Sequence, residues 1–302
     1  MSRLFLLPLA AALALPSSAL AGPWTKGLGE HYVKAGADFY ATHDYEDARA
    51  ESDGETAGFQ RFFGQQYSIY GEVGVFPLWP IQVTVHLPVS IGRAVFYDTA
   101  LIGEGEVGKS QTARLGDLRV GVQTAILRKP FQLAGSFDVK VPLYSNDRVG
   151  FGLGPYRPFF PLPGDGQIDL TAMLIGGGSA PTRVPLWVEV GVGYRHRTEA
   201  FVGWDTDLVF VDGLPFYAAV GIAPGPLWIV VRADGIKNFV QDETTREALT
   251  VGPSVGVTVW RGLAIEARFA ADVLARNAPR GVSFGGGVSW RWPNPATKPR
   301  SE

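Results

Sequence analysis

Ile81-Gln82-Val83-Thr84-Val85-His86-Leu87-Pro88-Val89-Ser90-Ile91 is the stretch on which the fold of this chain turns. Its odd positions are all aliphatic, and its even positions are polar or Pro. Successive side chains of a β-strand point to opposite faces, so a period of two gives one apolar and one polar face. On a helix the same aliphatic residues would scatter around the whole cylinder.

The rhythm recurs from Tyr32 to Trp292. Leu118, Val120, Val122 and Ile126 oppose Asp117, Arg119 and Gln123. Ile168, Leu170, Ala172 and Leu174 oppose Gln167, Asp169 and Thr171, and Val188, Val190 and Val192 oppose Glu189, Gly191 and Gly193. The spacing predicts about twelve strands, at 31–41, 61–76, 81–92, 115–127, 131–143, 166–176, 186–197, 214–223, 226–237, 248–259, 262–273 and 281–292. Most have the roughly 9–11 residues that a tilted membrane-spanning strand needs, and bacterial barrels have even strand numbers.

The links between these segments alternate in length. Short ones run through Leu78-Trp79-Pro80, Arg128-Lys129-Pro130, Ala180-Pro181-Thr182, Ala223-Pro224-Gly225 and Arg261-Gly262. Long polar ones occupy 42–58, 93–113, 144–165, 198–213, 238–247 and 274–280. Outer-membrane barrels have short periplasmic turns and longer outer loops, so both chain ends are expected on the periplasmic side. The predicted fold is all-β: a transmembrane, antiparallel, up-and-down barrel of about twelve strands.

The start of the chain fits export. Met1-Ser2-Arg3 is basic, Leu4 to Leu15 is apolar apart from Pro8, and Ala19-Leu20-Ala21 suits cleavage. The expected organisation is a signal peptide at 1–21, a barrel at 22–292 and a periplasmic tail at 293–302. The destination is then the outer membrane of a Gram-negative envelope, with lipid and lipopolysaccharide around the wall. No later segment has the roughly 20 apolar residues of a spanning helix. Cysteine is absent, which excludes disulfides and thiol chemistry. A net charge of −2 gives no global attraction to nucleic acid. The 38 Gly and 8 Trp suit crowded inner positions and interfacial belts.

A soluble β-sandwich would show the same alternation, with the apolar face as its core. The charges argue for the membrane. Parity puts Lys34, Asp38, Glu72, His86, Asp117, Arg119, Asp138, Lys140, Asp169, Glu189, Arg195, Arg232, Asp234, Glu266, Arg268 and Asp272 on the polar face. The apolar face bears almost no charge, as lipid contact requires. Opposite signs recur two residues apart, as in Asp117 and Arg119, Asp138 and Lys140, Arg232 and Asp234, and Glu266 and Arg268. Such a set either lines a pathway or forms an ion-pair lattice that fills the barrel. Trp79, Trp187, Trp228 and Trp260 stand at or near short links, and Trp290 and Trp292 close the last segment, as an interfacial aromatic belt would.

Three stretches resemble a known family. They are Leu115-Gly116-Asp117-Leu118 leading to Gly121, Val139-Lys140-Val141-Pro142, and Gly164-Asp165-Gly166-Gln167-Ile168-Asp169. The family is that of outer-membrane barrels labelled MetA-pathway of phenol degradation, which are transporter-like. The chain departs from it at Leu143-Tyr144, where a Thr-Gly-like turn is usual. The resemblance implies an outer-membrane channel for aromatic or other hydrophobic compounds, and no enzyme activity.

Chemistry motifs are weak here. Gly252-Pro253-Ser254-Val255-Gly256 and Gly281-Val282-Ser283-Phe284-Gly285 match G-x-S-x-G but sit inside predicted strands, where a nucleophile elbow needs a strand-to-helix turn. His86 and Ser90 share a strand and lie about 13 Å apart at a rise of roughly 3.3 Å per residue. No catalytic, cofactor-binding or metal-ligating residue is assigned. In the 144–165 link, Phe151, Tyr156, Phe159 and Phe160 stand among prolines, where they either constrict a channel mouth or pack against neighbouring loops. The first long link is acidic, with Asp44, Glu46, Asp47, Glu51, Asp53 and Glu55, which a merely solvated loop explains.

The expected function is a channel for a small solute. Mixed lumen charge suits a zwitterionic, neutral or hydrophobic one. A closed structural barrel that docks protein partners through its loops is the alternative, and a lipid-modifying barrel enzyme a third.

Overall fold

The computed structural model describes residues 24–46, 60–76, 78–97, 106–129, 131–144, 164, 166–180, 182–201, 211–240, 247–276 and 278–292. Thirteen strands account for most of them: β1 His31–Glu46, β2 Gln60–Gly74, β3 Ile81–Tyr97, β4 Glu106–Leu115, β5 Asp117–Leu127, β6 Gln132–Pro142, β7 Gln167–Ala180, β8 Leu186–Phe201, β9 Gly213–Ile222, β10 Leu227–Asn238, β11 Glu247–Trp260, β12 Leu263–Arg276 and β13 Ala278–Trp292. Every pairing is antiparallel, and strands adjacent along the chain pair with each other, except β4 and β5, which both pair with β3. β1 also pairs with β13, from His31↔Trp292 to Glu46↔Ala278, which closes the sheet into a ring.

The ring has twelve positions, because β4 and β5 follow one another along the same side of β3. The alternation predicts one strand over 115–127. The structure extends it to Glu106 and breaks it at Gly116, with the pairing sum moving by one from His86↔Arg119 to Val89↔Leu115. Pro88 explains the break. In an antiparallel ladder the N–H and C=O of one residue face the same neighbour. The Pro88 carbonyl accepts from Gly116 N–H at 2.8 Å, and Pro88 has no N–H to return. The ladder is interrupted there, and a Cβ on Gly116 would stand 2.9 Å from the Pro88 ring. Several other strands run past their predicted ends, β1 to Glu46 and β8 to Phe201 at the long-loop side and β7 to Ala180 at the short-turn side.

At the short-turn end, Gly225 and Gly262 take φ of 68° and 87°, which L-residues rarely adopt. The two G-x-S-x-G matches lie within β11 and β13, with no helix after either.

The two faces are arranged opposite to those of a water-soluble fold. The inward residues Gln82, Asp169 and Glu189 are 0 %, 2 % and 2 % exposed, whereas the outward Val188, Val190 and Val192 are 49 %, 59 % and 47 % exposed. Among the described residues no helix or second sheet covers that aliphatic face. An apolar band all round a closed wall is far larger than the few hundred Å² that soluble monomers expose, and suits hydrocarbon.

Candidate functional site: the barrel lumen

Alternation and closure together deliver the charged residues to one enclosed space. Three groups form there, and their partners lie mostly across strands. In the first, Lys34 of β1 pairs with Glu266 of β12, and Asp38 of β1 with Arg268 of β12. Both pairs reach over β13. They can do so because β13 turns Gly285 and Gly287 inward, leaving its lumen face bare. A Cβ at 285 would collide with the Asp38 carboxylate, and one at 287 would stand 3.2 Å from Lys34 Cε.

In the second group Lys140 of β6 lies 2.8 Å from Asp169 of β7 and 3.9 Å from Asp117 of β5. Arg197 of β8 approaches Asp169 from the other side at 3.4 Å. Tyr144 donates to Asp117 at 2.9 Å and accepts from Gly166 N–H at 3.1 Å, which ties the chain after β6 to that before β7. In the third group Arg232 of β10 holds Asp234 at 2.7 Å and lies 3.7 Å from Glu189 of β8. Its guanidinium stacks 3.9 Å over the Tyr217 ring. Asp272 is hydrogen-bonded instead: Tyr40, Thr250 and Gly281 N–H donate to it at 2.8, 2.6 and 3.1 Å.

Of the four opposite-sign pairs read along single strands, Arg232 and Asp234 are joined as an ion pair. Lys140, Glu266 and Arg268 take cross-strand partners. Residues two apart on a strand are separated by roughly 6.6 Å, whereas directly opposed residues have Cβ atoms about 4.5–5.5 Å apart. Arg119 stands opposite His86 on one side and Lys140 on the other. Asp138 lies over Gly121, where a Cβ would strike its carboxylate. Arg195 is half-buried on β8, and His86 lies buried near Tyr70, with ring centroids 6.4 Å apart. Ser90 is buried on the same inward face of β3.

One lumen element has no counterpart in the sequence reading. Residues 24–30 lie across the short-turn end of the barrel. Trp24, seven residues before β1, packs edge-on against Trp187 of β8 at 6.1 Å, on the opposite side of the ring. Between them, Lys26 N–H donates to Gln82 Oε1 at 2.8 Å, and the Lys26 ammonium meets Glu72 at 2.9 Å. Tyr70 donates to the other Glu72 oxygen at 2.9 Å. Gly29 N–H and Gly74 O, then Gly74 N–H and Glu30 O, continue the ladder below β1 at 3.0 and 2.9 Å. The segment precedes the first periodic stretch, and its one sequence signal is an unassigned Trp-Thr-Lys.

The aromatic belt is smaller than the sequence suggested. Trp79, Trp260, Trp290 and Trp292 are exposed on the outside. Trp187 and Trp228 face inward, over Gly221 and Gly256, whose missing Cβ atoms leave room for the rings. Proximity to a turn says nothing about face, whereas the parity of Trp187 with Glu189 does. Phe151, Tyr156, Phe159 and Phe160 lie outside the described residues, as do most of the acidic first link and residues 293–302.

No family model and no curated protein matches the chain. Among solved structures, it is similar to the COG4313 outer membrane channel from Pseudomonas putida F1, with a TM-score of 0.65 and 9 % identity over 90 % of this chain and 99 % of that one. The translocator domain of the autotransporter NalP from Neisseria meningitidis aligns with a TM-score of 0.48 and 13 % identity, over 88 % and 90 % of the two chains. The CymD monoaromatic hydrocarbon channel aligns with a TM-score of 0.35 and 6 % identity, over 88 % of each. The chain thus shares its barrel fold with the COG4313 channel.

Proposed function

We propose that this chain is an exported outer-membrane channel that passes a small solute through a charge-lined lumen. The observation that carries this reading is the closed wall itself, charged within and aliphatic without. The likeness in fold to a protein described as an outer membrane channel supports it. Most lumen charges have a neighbour of opposite sign, and the two signs are nearly balanced, so a permeant ion of either sign meets little net field. A neutral, zwitterionic or hydrophobic solute fits that interior. An aromatic one, as the family resemblance implies, belongs to the same proposal. In this reading cleavage after Ala21 leaves Trp24 as the third residue of the mature protein.

A specific observation favours the alternative of a closed structural barrel: the segment 24–30 occupies one mouth, pinned by Lys26. Planar-bilayer conductance separates the two. The wild-type barrel is expected to show small, infrequent openings, and deletion of 24–30 or Lys26→Ala to enlarge them. If neither the intact nor the shortened barrel conducts, and neither swells liposomes loaded with neutral solutes, the channel reading is lost and the structural one stands.

A further inference from the structure

The short turns carry a charge pattern that the lumen does not explain. Arg128 and Lys129 lie between β5 and β6, Arg183 between β7 and β8, and Arg261 between β11 and β12, and all four are exposed. No Asp or Glu occurs in the stretches 75–80, 128–131, 181–185, 223–226 and 261–262 that turn the chain at this end. Among the described residues none of the four has an ion-pair partner. The acid nearby, Glu30, accepts from Gly27 N–H within the segment that lies across the mouth. The opposite end mixes signs, with Glu199, Asp212 and Glu247 beside Lys237 and Arg280.

The cations also stand at a defined height. Trp79, Trp260, Trp290 and Trp292 mark the same end on the outside of the wall. Such amphipathic rings settle at headgroup level. Arg261 lies 5.8 Å over the Trp260 ring, so one cation and one belt residue share a site. The charges are spread over three turns around the ring and do not gather in one patch. A soluble partner would need a continuous face. Lipids surround a barrel as an annulus, and an annulus meets every turn.

Resting on the membrane reading above, we infer that this rim binds the phosphate groups of anionic glycerophospholipids in the leaflet at the short-turn end. Arg128, Lys129, Arg183 and Arg261 are the residues that hold them. Arg and Lys stems are long enough to follow an apolar wall and carry the charge to the headgroups. Each cation near an anionic surface adds attraction that salt screens.

The test uses fluorescence quenching of the intact barrel reconstituted in bilayers of phosphatidylcholine with brominated phosphatidylglycerol, or with brominated phosphatidylcholine. The exterior Trp residues report which lipid lies against them. A preference for phosphatidylglycerol of about threefold or more is expected, falling as salt rises. The fourfold variant Arg128→Gln, Lys129→Gln, Arg183→Gln, Arg261→Gln is expected to lose it. That variant alters only exposed turn residues, and an unchanged heat-dependent gel shift shows that it folds. Equal quenching by the two lipids in the wild type overturns the inference, as does a preference that survives in the variant. Loss of the preference in millimolar inorganic phosphate would mark a free-anion site and overturn it too. Absence of quenching by either lipid would instead remove the membrane reading on which it rests.

Discussion

Glycine at 285 and 287 decides which charges meet in the lumen. Parity assigns Lys34, Asp38, Glu266 and Arg268 to one face, and in the structure they meet as two ion pairs. Which of them pair depends on register and on what β13 leaves empty, and neither follows from a period of two. Gly287→Val would set a side chain against Ala35 O and Lys34 Cε, within 2.7 and 3.2 Å of its Cβ. Overpacking of this kind costs about 1–3 kcal/mol, so denaturant unfolding of the variant in detergent should show a loss in that range. A loss below a few tenths would mean that the lysine stem simply moves aside. Trp187 and Trp228 show the same division between face and partner. Parity with Glu189 puts Trp187 inside, whereas closeness to a turn carries no information about face.

Among elements, strands were legible and their ends were not. Alternation is local, so it fixes a strand's existence without any knowledge of its neighbours. The break at Gly116 depends on Pro88, a residue of the adjacent strand. The extension to Glu106 depends on β3 continuing past Val89. The segment 24–30 has no period at all and could be placed only by its contacts. Tertiary contacts also set the end of the β8–β9 hairpin. Asp212, just before β9, accepts from His196 Nδ1 at 3.1 Å and from Arg197 N–H at 2.8 Å, and Tyr194 donates to it as well. Burial acts to raise the Asp212 carboxyl, and the hydrogen bonds outweigh it and hold it below the ordinary range. A carboxyl depressed in the folded state contributes stability above its unfolded pKa and loses it as pH falls through the folded value. Hydrogen exchange at the Arg197 amide should therefore show loss of protection on acidification below the ordinary carboxylate range. Asp212→Asn should remove that acid step. A step that persists in the variant would assign it to another carboxyl.

For the molecule as a whole, the decisive relation lies between its first and last strands. The other neighbour pairs are closer in sequence, and all but β3 and β5, which have β4 between them, join strands that follow one another along the chain. β1 and β13 meet only after the 231 residues from 47 to 277 have been placed, and bringing such distant ends together is the slow, entropically costly step. The two ion pairs that reach over β13 straddle this join, tying β1 to β12 on its far side. They act as rivets across a zip fastener, and a ring under stress should part where they fail. Lys34→Glu should lower the temperature at which the barrel loses its compact gel mobility. Adding Glu266→Lys should restore much of the loss, whereas no recovery would show that the pair is incidental to closure. Such a cylinder wears out at its seam first, whatever passes through its bore.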